Sequence, residues 1–224
     1  MEHIKKNTLI IHFNPVFFTL CFGSPVFAFI VSLFIINALT AAGGEASLTS
    51  QCLREFLEYY DRYMANEFLK IFLNNYFIVV LLVYFTPLAL LLRRVWQKFR
   101  NRNDEISAFE QVLLYLFPAV FLIRQAVNIA IILNGTSTSI SKNVLLTFAG
   151  IILPHGLPEL LAVSLAGAIG MEVTRKVLFS NVSGPLVKGR VLGLLGLFTA
   201  LCAFIEVYFT PKIFSILMVA TGIN

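Results

Sequence analysis

The stretch LTFAGIILPHGLPELLAVSLAGAIG, residues 146–170, is long and apolar enough to cross a membrane, yet it carries a histidine and a glutamate near its middle. His155 and Glu159 are four residues apart, a spacing that places both side chains on one face of a helix. A charged group at the centre of a bilayer costs roughly 2.5–3.5 kcal/mol. Such residues are usually retained for a function, so this pair is the first candidate for a functional site.

Two prolines and a glycine surround the pair: Pro154, Gly156 and Pro158. A proline inside a helix removes a backbone hydrogen bond and bends the chain. Within a membrane, such a break is tolerated where neighbouring protein or a water-filled cavity satisfies the freed backbone groups. We therefore predict a helix that is broken at the PHGLPEL motif, residues 154–160.

The composition places the whole chain in the same class. Of its 224 residues, 58% are hydrophobic and only 13% are charged, and the mean hydropathy is +0.84. An ordinary soluble domain is about 45–50% apolar, so that class is excluded. We predict an all-α integral membrane protein, a single membrane domain over residues 1–224 with about five transmembrane helices. We therefore expect the lipid bilayer to be one of its partners.

Apolar stretches of about 20 residues mark the expected spans. They cover residues 16–40, 71–92, 107–133, 144–170 and 191–213. Between the first two spans, apolar residues recur at helical spacing over residues 48–70. This segment is predicted to form an amphipathic helix on the extracytoplasmic surface of the membrane.

The basic residues indicate the orientation of the chain. Most of the 17 Lys and Arg lie at the N-terminus, after the second span and between the fourth and fifth spans. Because cytoplasmic loops are enriched in Lys and Arg, we predict a multi-pass protein of the cell membrane with a cytoplasmic N-terminus and an extracytoplasmic C-terminus. These loops account for the net charge of +5, so we expect no nucleic-acid partner.

Further polar residues within the spans are expected to join the histidine and glutamate in the outer half of the membrane. The candidates for acid–base catalysis are His155, Glu159 and Glu206. The candidates for binding a substrate are Asn75, Arg124 and Asn134. In a structural alternative, Arg124 forms a buried ion pair with Glu159 or Glu206, and the polar groups only brace the fold.

No cofactor or metal site is expected from the spacing of residues. The three cysteines and three histidines are widely separated and show no ligand pattern. The GxSxG, HExxH and phosphate-loop motifs are absent from the sequence. Glycines such as Gly167 and Gly170 predict close helix packing, either within the fold or between the copies of a homo-oligomer.

In four blocks the chain resembles the stage II sporulation protein M (SpoIIM) family, in its broad bacterial and archaeal form. The blocks are IFLNN at 71–75, LNG at 133–135, LPHGLPELLAVSLAGAIG at 153–170 and FIEVYFTP at 204–211. The third block is the most specific. The chain departs from the family pattern there, because Pro158 precedes the glutamate where an aromatic or aliphatic residue is often found.

The resemblance implies a multi-pass helical membrane protein. The founding member of the family acts in engulfment during sporulation as a membrane scaffold, with partners that remodel peptidoglycan. The family has also been grouped with membrane domains that are proposed to act on lipid head groups through polar residues in a conical cavity. Carried to this chain, that proposal points to Asn75, His155, Glu159 and Glu206.

Three functions are open on the basis of the sequence. The first is a scaffold or subunit of an envelope or membrane-remodelling complex, with membrane or envelope proteins as partners. The second is an enzyme or binder that acts on bound lipid head groups or lipid-linked substrates in an intramembrane polar pocket. The third is a small transporter or channel, since broken helices are typical of midplane binding sites.

Overall fold

The computed structural model describes residues 14–41, 67–100, 105–136, 147–179 and 187–220. These residues are almost entirely helical and include no strand. The helices are α1 Pro15–Ala41, α2 Glu67–Arg100, α3 Ala108–Thr136, α4 Leu153–Phe179, α5 Gly189–Tyr208 and α6 Thr210–Ala220. A π-helical turn, Phe148–Ile152, leads directly into α4.

Five of these helical segments are long and apolar enough to cross a membrane. They confirm the predicted all-α membrane architecture with about five spans. Large apolar side chains on their outer faces are at least 65% exposed, as expected of surfaces that face lipid; examples are Phe27, Phe34, Phe77, Phe109 and Leu197. The predicted amphipathic segment, residues 48–70, lies outside the described residues apart from its last four, which begin α2.

The second and fourth spans run in the same direction. The hydroxyls of Thr86 on α2 and Thr174 on α4 are 2.6 Å apart. Four residues earlier on both helices, a Cβ added to Gly170 would overlap the carbonyl oxygen of Leu82. The two contacts advance together along both chains, so α2 and α4 are parallel.

Helix α3 runs antiparallel to α2. Arg93 near the end of α2 forms a 2.8 Å ion pair with Glu110 at the start of α3, whereas the rings of Phe85 and Phe117 stack further along. Glu110 also receives a 2.8 Å hydrogen bond from the backbone N–H of Ser107, and the Ser107 hydroxyl accepts one from the Glu110 N–H. This reciprocal capping box explains why α3 begins where it does.

Helices α1 and α5 run in the direction of α3. Cys21 near the start of α1 contacts Met171 in the second half of α4. Phe29, further along α1, packs on Phe148 in the π-turn before α4, so α1 and the fourth span are antiparallel. Glu206 in the last turn of α5 lies beside His155 in the first turn of α4, so α5 is also antiparallel to α4. The five spans therefore alternate in direction, as a chain that crosses the membrane five times requires. The C-terminal ends of α2 and α4 meet the N-terminal ends of α3 and α5.

This meeting point carries most of the described positive charge, and we call it the basic end. Its residues are Arg93, Arg94, Lys98, Arg100, Arg175, Lys176, Lys188 and Arg190. Buried Glu172 accepts ion pairs there from Arg175 at 2.7 Å and from Lys176 at 3.5 Å. These pairs let α4 continue to Phe179, nine residues beyond the predicted end of the span.

Helix α4 lies at the centre of the bundle. It packs against each of the other four spans, and residues 166–174 in its middle are continuously buried. Gly170 marks its tightest approach, because no side chain fits between it and the α2 backbone. Small residues allow such approaches where packing, rather than the hydrophobic effect, drives helix association in a membrane.

The irregular turn of the fourth span lies just before the PHGLPEL motif, and the motif itself is helical. The N–H of Leu153 bonds to the carbonyl of Phe148, which is five residues earlier. Pro154 has no N–H to continue the regular ladder. A π-turn at this point accommodates the missing donor while the helix axis continues through Pro158.

The predicted fifth span, residues 191–213, is divided in two by the structure. Helix α5 ends at Tyr208, and Thr210 begins the 11-residue helix α6. Pro211 lacks the N–H that would continue α5, whereas proline is accepted in the first turn of a new helix. Helix α6 then packs on the π-turn, where a Cβ added to Gly150 would lie 2.7 Å from Phe214.

A candidate intramembrane site

His155, Glu159 and Glu206 converge at the end of the bundle opposite the basic end. One ligand atom from each side chain lies within 4.8 Å of the other two. His155 and Glu159 come from consecutive turns of α4, and Glu206 comes from the last turn of α5. All three are half-buried, so they are accessible to a ligand. We call this group the carboxylate–histidine site.

The orientation of His155 is set by the break between α5 and α6. Its Nδ1 lies 3.1 Å from the hydroxyl of buried Thr210, and that hydroxyl donates its hydrogen to the carbonyl of Ile205 at 3.3 Å. With the hydroxyl hydrogen donated to Ile205, Thr210 can accept a hydrogen bond from Nδ1–H. This arrangement leaves the lone pair of a neutral imidazole on Nε2.

The site and the basic end are separated along α4 by about the thickness of a hydrocarbon core. Arg175 at the basic end follows His155 by 20 residues on α4, which corresponds to about 30 Å of helix. The hydrocarbon core of a bilayer is also about 30 Å thick. Glu159 lies one turn deeper than His155. The predicted location of these residues in the outer half of the membrane stays a prediction, and α4 extends past the predicted end of the span at residue 170.

The comparisons with known proteins identify the family. A family model for stage II sporulation protein M matches residues 18–211, which is most of the chain. The chain belongs to the stage II sporulation protein M family. No curated protein and no solved structure matches it significantly. The matched range contains all three residues of the carboxylate–histidine site and Thr210.

Two residues beside the carboxylate–histidine site were not predicted from the sequence. Buried Glu67 opens α2 and lies close enough to Glu206 for their charges to repel. Buried Cys202 lies one turn before Glu206 and is within electrostatic range of Glu159. Glu67 was assigned to the polar segment outside the membrane. Only the register between α2 and α5 brings it to the site.

The two asparagines predicted to bind substrate are both buried. Asn75 follows Glu67 by eight residues on α2, about 12 Å along the helix, so it lies deeper than the site. Its side-chain oxygen accepts a 3.3 Å hydrogen bond from Asn74. Asn134 lies in the last turn of α3, at the same end of the bundle as the site. Their roles in binding stay predictions.

Arg124 does not have the partner that the structural alternative gave it. Its side chain is exposed on α3, 14 residues or about 21 Å along the helix from Glu110. Within the described residues it forms no ion pair with Glu159 or Glu206. Long basic side chains can extend along the outside of a helix to reach polar surroundings, and the outward position of Arg124 fits that behaviour.

The two glutamates thus face one another without a described countercharge. Across the described ranges, no Lys or Arg lies within ion-pair distance of either carboxylate. Unpaired charge in low-dielectric surroundings is costly unless a proton, a cation or a ligand compensates it. The arrangement can therefore accept hydrogen bonds, hold a cation or exchange a proton through His155.

Proposed function

We propose that this protein binds the polar head group of a membrane lipid at the carboxylate–histidine site. The observation that carries the proposal is the convergence of His155, Glu159 and Glu206 from two helices into one half-buried group. Buried ionisable residues within a membrane are expensive and typically mark a ligand or ion site. The histidine–carboxylate combination also suits proton transfer to a bound head group.

The depth of the site supports a lipid as the ligand. His155 is about one hydrocarbon thickness away from the basic end, so the site is level with lipid head groups. Exposed apolar side chains flank it: Leu157 and Leu161 on α4, and Phe204 and Tyr208 on α5. A lipid could place its head group among the polar residues and its acyl chains along these apolar faces.

We also propose that the basic end faces the cytoplasm. Lys and Arg from the ends of three spans gather there, and such residues are retained on the cytoplasmic side during insertion. In this orientation the site opens toward the extracytoplasmic leaflet. The lipids available to it are then those of that leaflet.

Native mass spectrometry of the detergent-purified full chain tests lipid binding directly. Phosphatidylglycerol and phosphatidylethanolamine are titrated against wild type, His155→Ala and Glu206→Gln. We expect each variant to bind the preferred lipid about tenfold or more weakly, a loss of at least ~1.4 kcal/mol. Glu110→Gln is the matched control, because it makes the same chemical change at the basic end. Equal affinities for wild type and both site variants would contradict the proposal.

A scaffold role is the second candidate, and family membership is the observation that favours it. The predicted amphipathic segment, residues 48–70, would be the surface that docks a partner, and it lies mostly outside the described residues. Co-purification of envelope partners with the same variants separates the two roles. Partner capture that is unchanged in His155→Ala and Glu206→Gln, together with unchanged lipid binding, favours the scaffold role.

A further inference from the structure

The carboxylate–histidine site has the ligand set of a metal centre. It offers one imidazole nitrogen and two carboxylates within 4.8 Å of one another. Ligand atoms that each lie ~2.1 Å from one tetrahedral ion are about 3.4 Å apart. The three side chains therefore need to approach one another by up to about 1.4 Å to share an ion, which rotation of the two flexible glutamates can supply.

A second, independent observation is the hydrogen bond that orients His155. Histidines that bind metals almost always donate their other ring N–H to a polar partner, which fixes the tautomer and the ring plane. The Thr210 hydroxyl is that partner for Nδ1, and the carbonyl of Ile205 in turn accepts a hydrogen bond from the hydroxyl. Nε2 is left with the lone pair that binds a metal.

The charges around the site favour a cation as well. Glu159 and Glu206 lie together, and Glu67, whose charge Lys70 partly offsets, adds a third carboxylate at longer range. Among the described residues, no Lys or Arg pairs with the two glutamates of the site. A divalent cation compensates two carboxylates at once.

We infer that His155, Glu159 and Glu206 bind one divalent transition-metal ion, of the Zn²⁺ or Mn²⁺ class. Imidazole favours transition metals, whereas carboxylates extend the choice to harder ions such as Mn²⁺. Three protein ligands leave a coordination position open, as in catalytic zinc sites. No metal site was expected from the sequence because only the spacing of residues along the chain was considered, whereas Glu206 reaches the site from a different helix.

The inference rests on the proposed function for its biological meaning, since the open position would take a phosphate oxygen of the head group. An anionic phosphate would otherwise be repelled by two carboxylates. The bound ion therefore predicts the ligand class of the site, which is a phospholipid or a lipid-linked phosphate that binds through its phosphate oxygen. Metal binding itself requires no lipid, so the two proposals can be tested apart.

The test is a metal titration of the full chain in a lipid-free detergent micelle after treatment with a chelator. Zn²⁺ is added in competition with a fluorescent chelator, and Co²⁺ is used in parallel because its visible absorption reports coordination geometry. We expect one ion per chain. Thr210→Val removes the hydrogen bond that orients His155 and should lower the metal affinity about 10- to 100-fold. His155→Ala and Glu206→Gln each remove a metal ligand and should lower the affinity further.

Glu110→Gln is the matched control and should bind as wild type does. Circular dichroism and size-exclusion elution show whether each variant is folded. Glu206→Gln keeps the shape of the side chain, and it remains informative if His155→Ala fails to fold. Absence of Co²⁺ ligand-field bands, or Zn²⁺ affinity that is unchanged in Glu206→Gln, would overturn the metal site.

Chelation then separates this inference from the proposed function. If lipid binding depends on His155 and Glu206 but persists in full after chelation, the metal inference is overturned and the head-group proposal stands. If Zn²⁺ binds at the site but no lipid does, the metal inference is supported and the head-group proposal fails. Loss of phosphatidylglycerol binding on chelation, restored by Zn²⁺, supports both.

Discussion

The hydroxyl of Thr210 lies 3.1 Å from Nδ1 of His155, although the two residues are 55 positions apart in the chain. Thr210 is the first residue of α6, and its position depends on the break that Pro211 imposes after α5. The same break places Glu206 in the last turn of α5, next to the histidine. One interruption of the helix therefore positions two of the side chains that the site requires.

Thr210→Val is expected to weaken lipid and metal binding about tenfold or more, because the histidine loses the acceptor that fixes its tautomer. Thr210→Ser should restore most of the affinity, since it retains the hydroxyl. Thr199→Val is the control: the Thr199 hydroxyl is also buried and bonds only the carbonyl of Leu195 among described groups, two helical turns before Glu206 on α5. Equal binding by Thr210→Val and wild type would show that Thr210 does not position His155.

Gly170→Ala is expected to destabilise the protein by about 1–3 kcal/mol or more, because its Cβ would overlap the Leu82 carbonyl oxygen and force α2 and α4 apart. Gly193→Ala is the matched control. No atom lies within 4 Å of the Cβ it would add on α5, so it should be neutral or stabilising by up to ~1 kcal/mol. The measurement is thermal unfolding in detergent. A Gly170→Ala protein as stable as Gly193→Ala would contradict the close approach.

Glu67→Gln is expected to change the stability of the metal-free protein by about 1 kcal/mol or less, because it removes both the repulsion of Glu206 and the attraction to Lys70. Saturating Zn²⁺ should reduce the difference, since the ion already compensates the carboxylates. Glu105→Gln, an exposed change at the other end of the bundle, serves as the control. A clear loss of stability in metal-free Glu67→Gln would show instead that the Glu67 carboxylate is needed by the fold.

The proposed orientation predicts where reporters fused to the C-terminus are active. Alkaline phosphatase placed after residue 224 should be active, because it folds only outside the cytoplasm, whereas a fused green fluorescent protein should be dark. The same reporters placed in the loop after α2, whose end carries Arg93, Arg94 and Arg100, should give the reverse result. A bright C-terminal fluorescent fusion would contradict the proposed orientation and place the C-terminus in the cytoplasm.

The spans and part of the site could be predicted because they depend on local patterns. Runs of apolar residues identified five spans, and the four-residue spacing identified His155 and Glu159 as neighbours. The cost of an ionisable residue in a membrane was enough to single out Glu206. None of these inferences requires knowledge of how the helices pack.

The parts that could not be predicted depend on register and on contacts between helices. Glu67 reaches the site only because α2 lies parallel to α4 and antiparallel to α5, which no local pattern specifies. The end of α4 at Phe179 was not predicted because a hydropathy window ends at charged residues, whereas Glu172 pairs with Arg175 and lets the helix continue. Arg124 was placed inside from its sequence position alone, and the rotation of α3 turns it outward.

The most direct test of the shared site is a double-mutant cycle between His155 on α4 and Glu206 on α5. Dissociation constants for the preferred phospholipid are measured for wild type, His155→Ala, Glu206→Gln and the double variant. Residues that hold one ligand together should show a coupling energy of about 0.5–3 kcal/mol, so the double variant should lose less than the sum of the single losses. Losses that add to within about 0.5 kcal/mol would show that the two residues act independently.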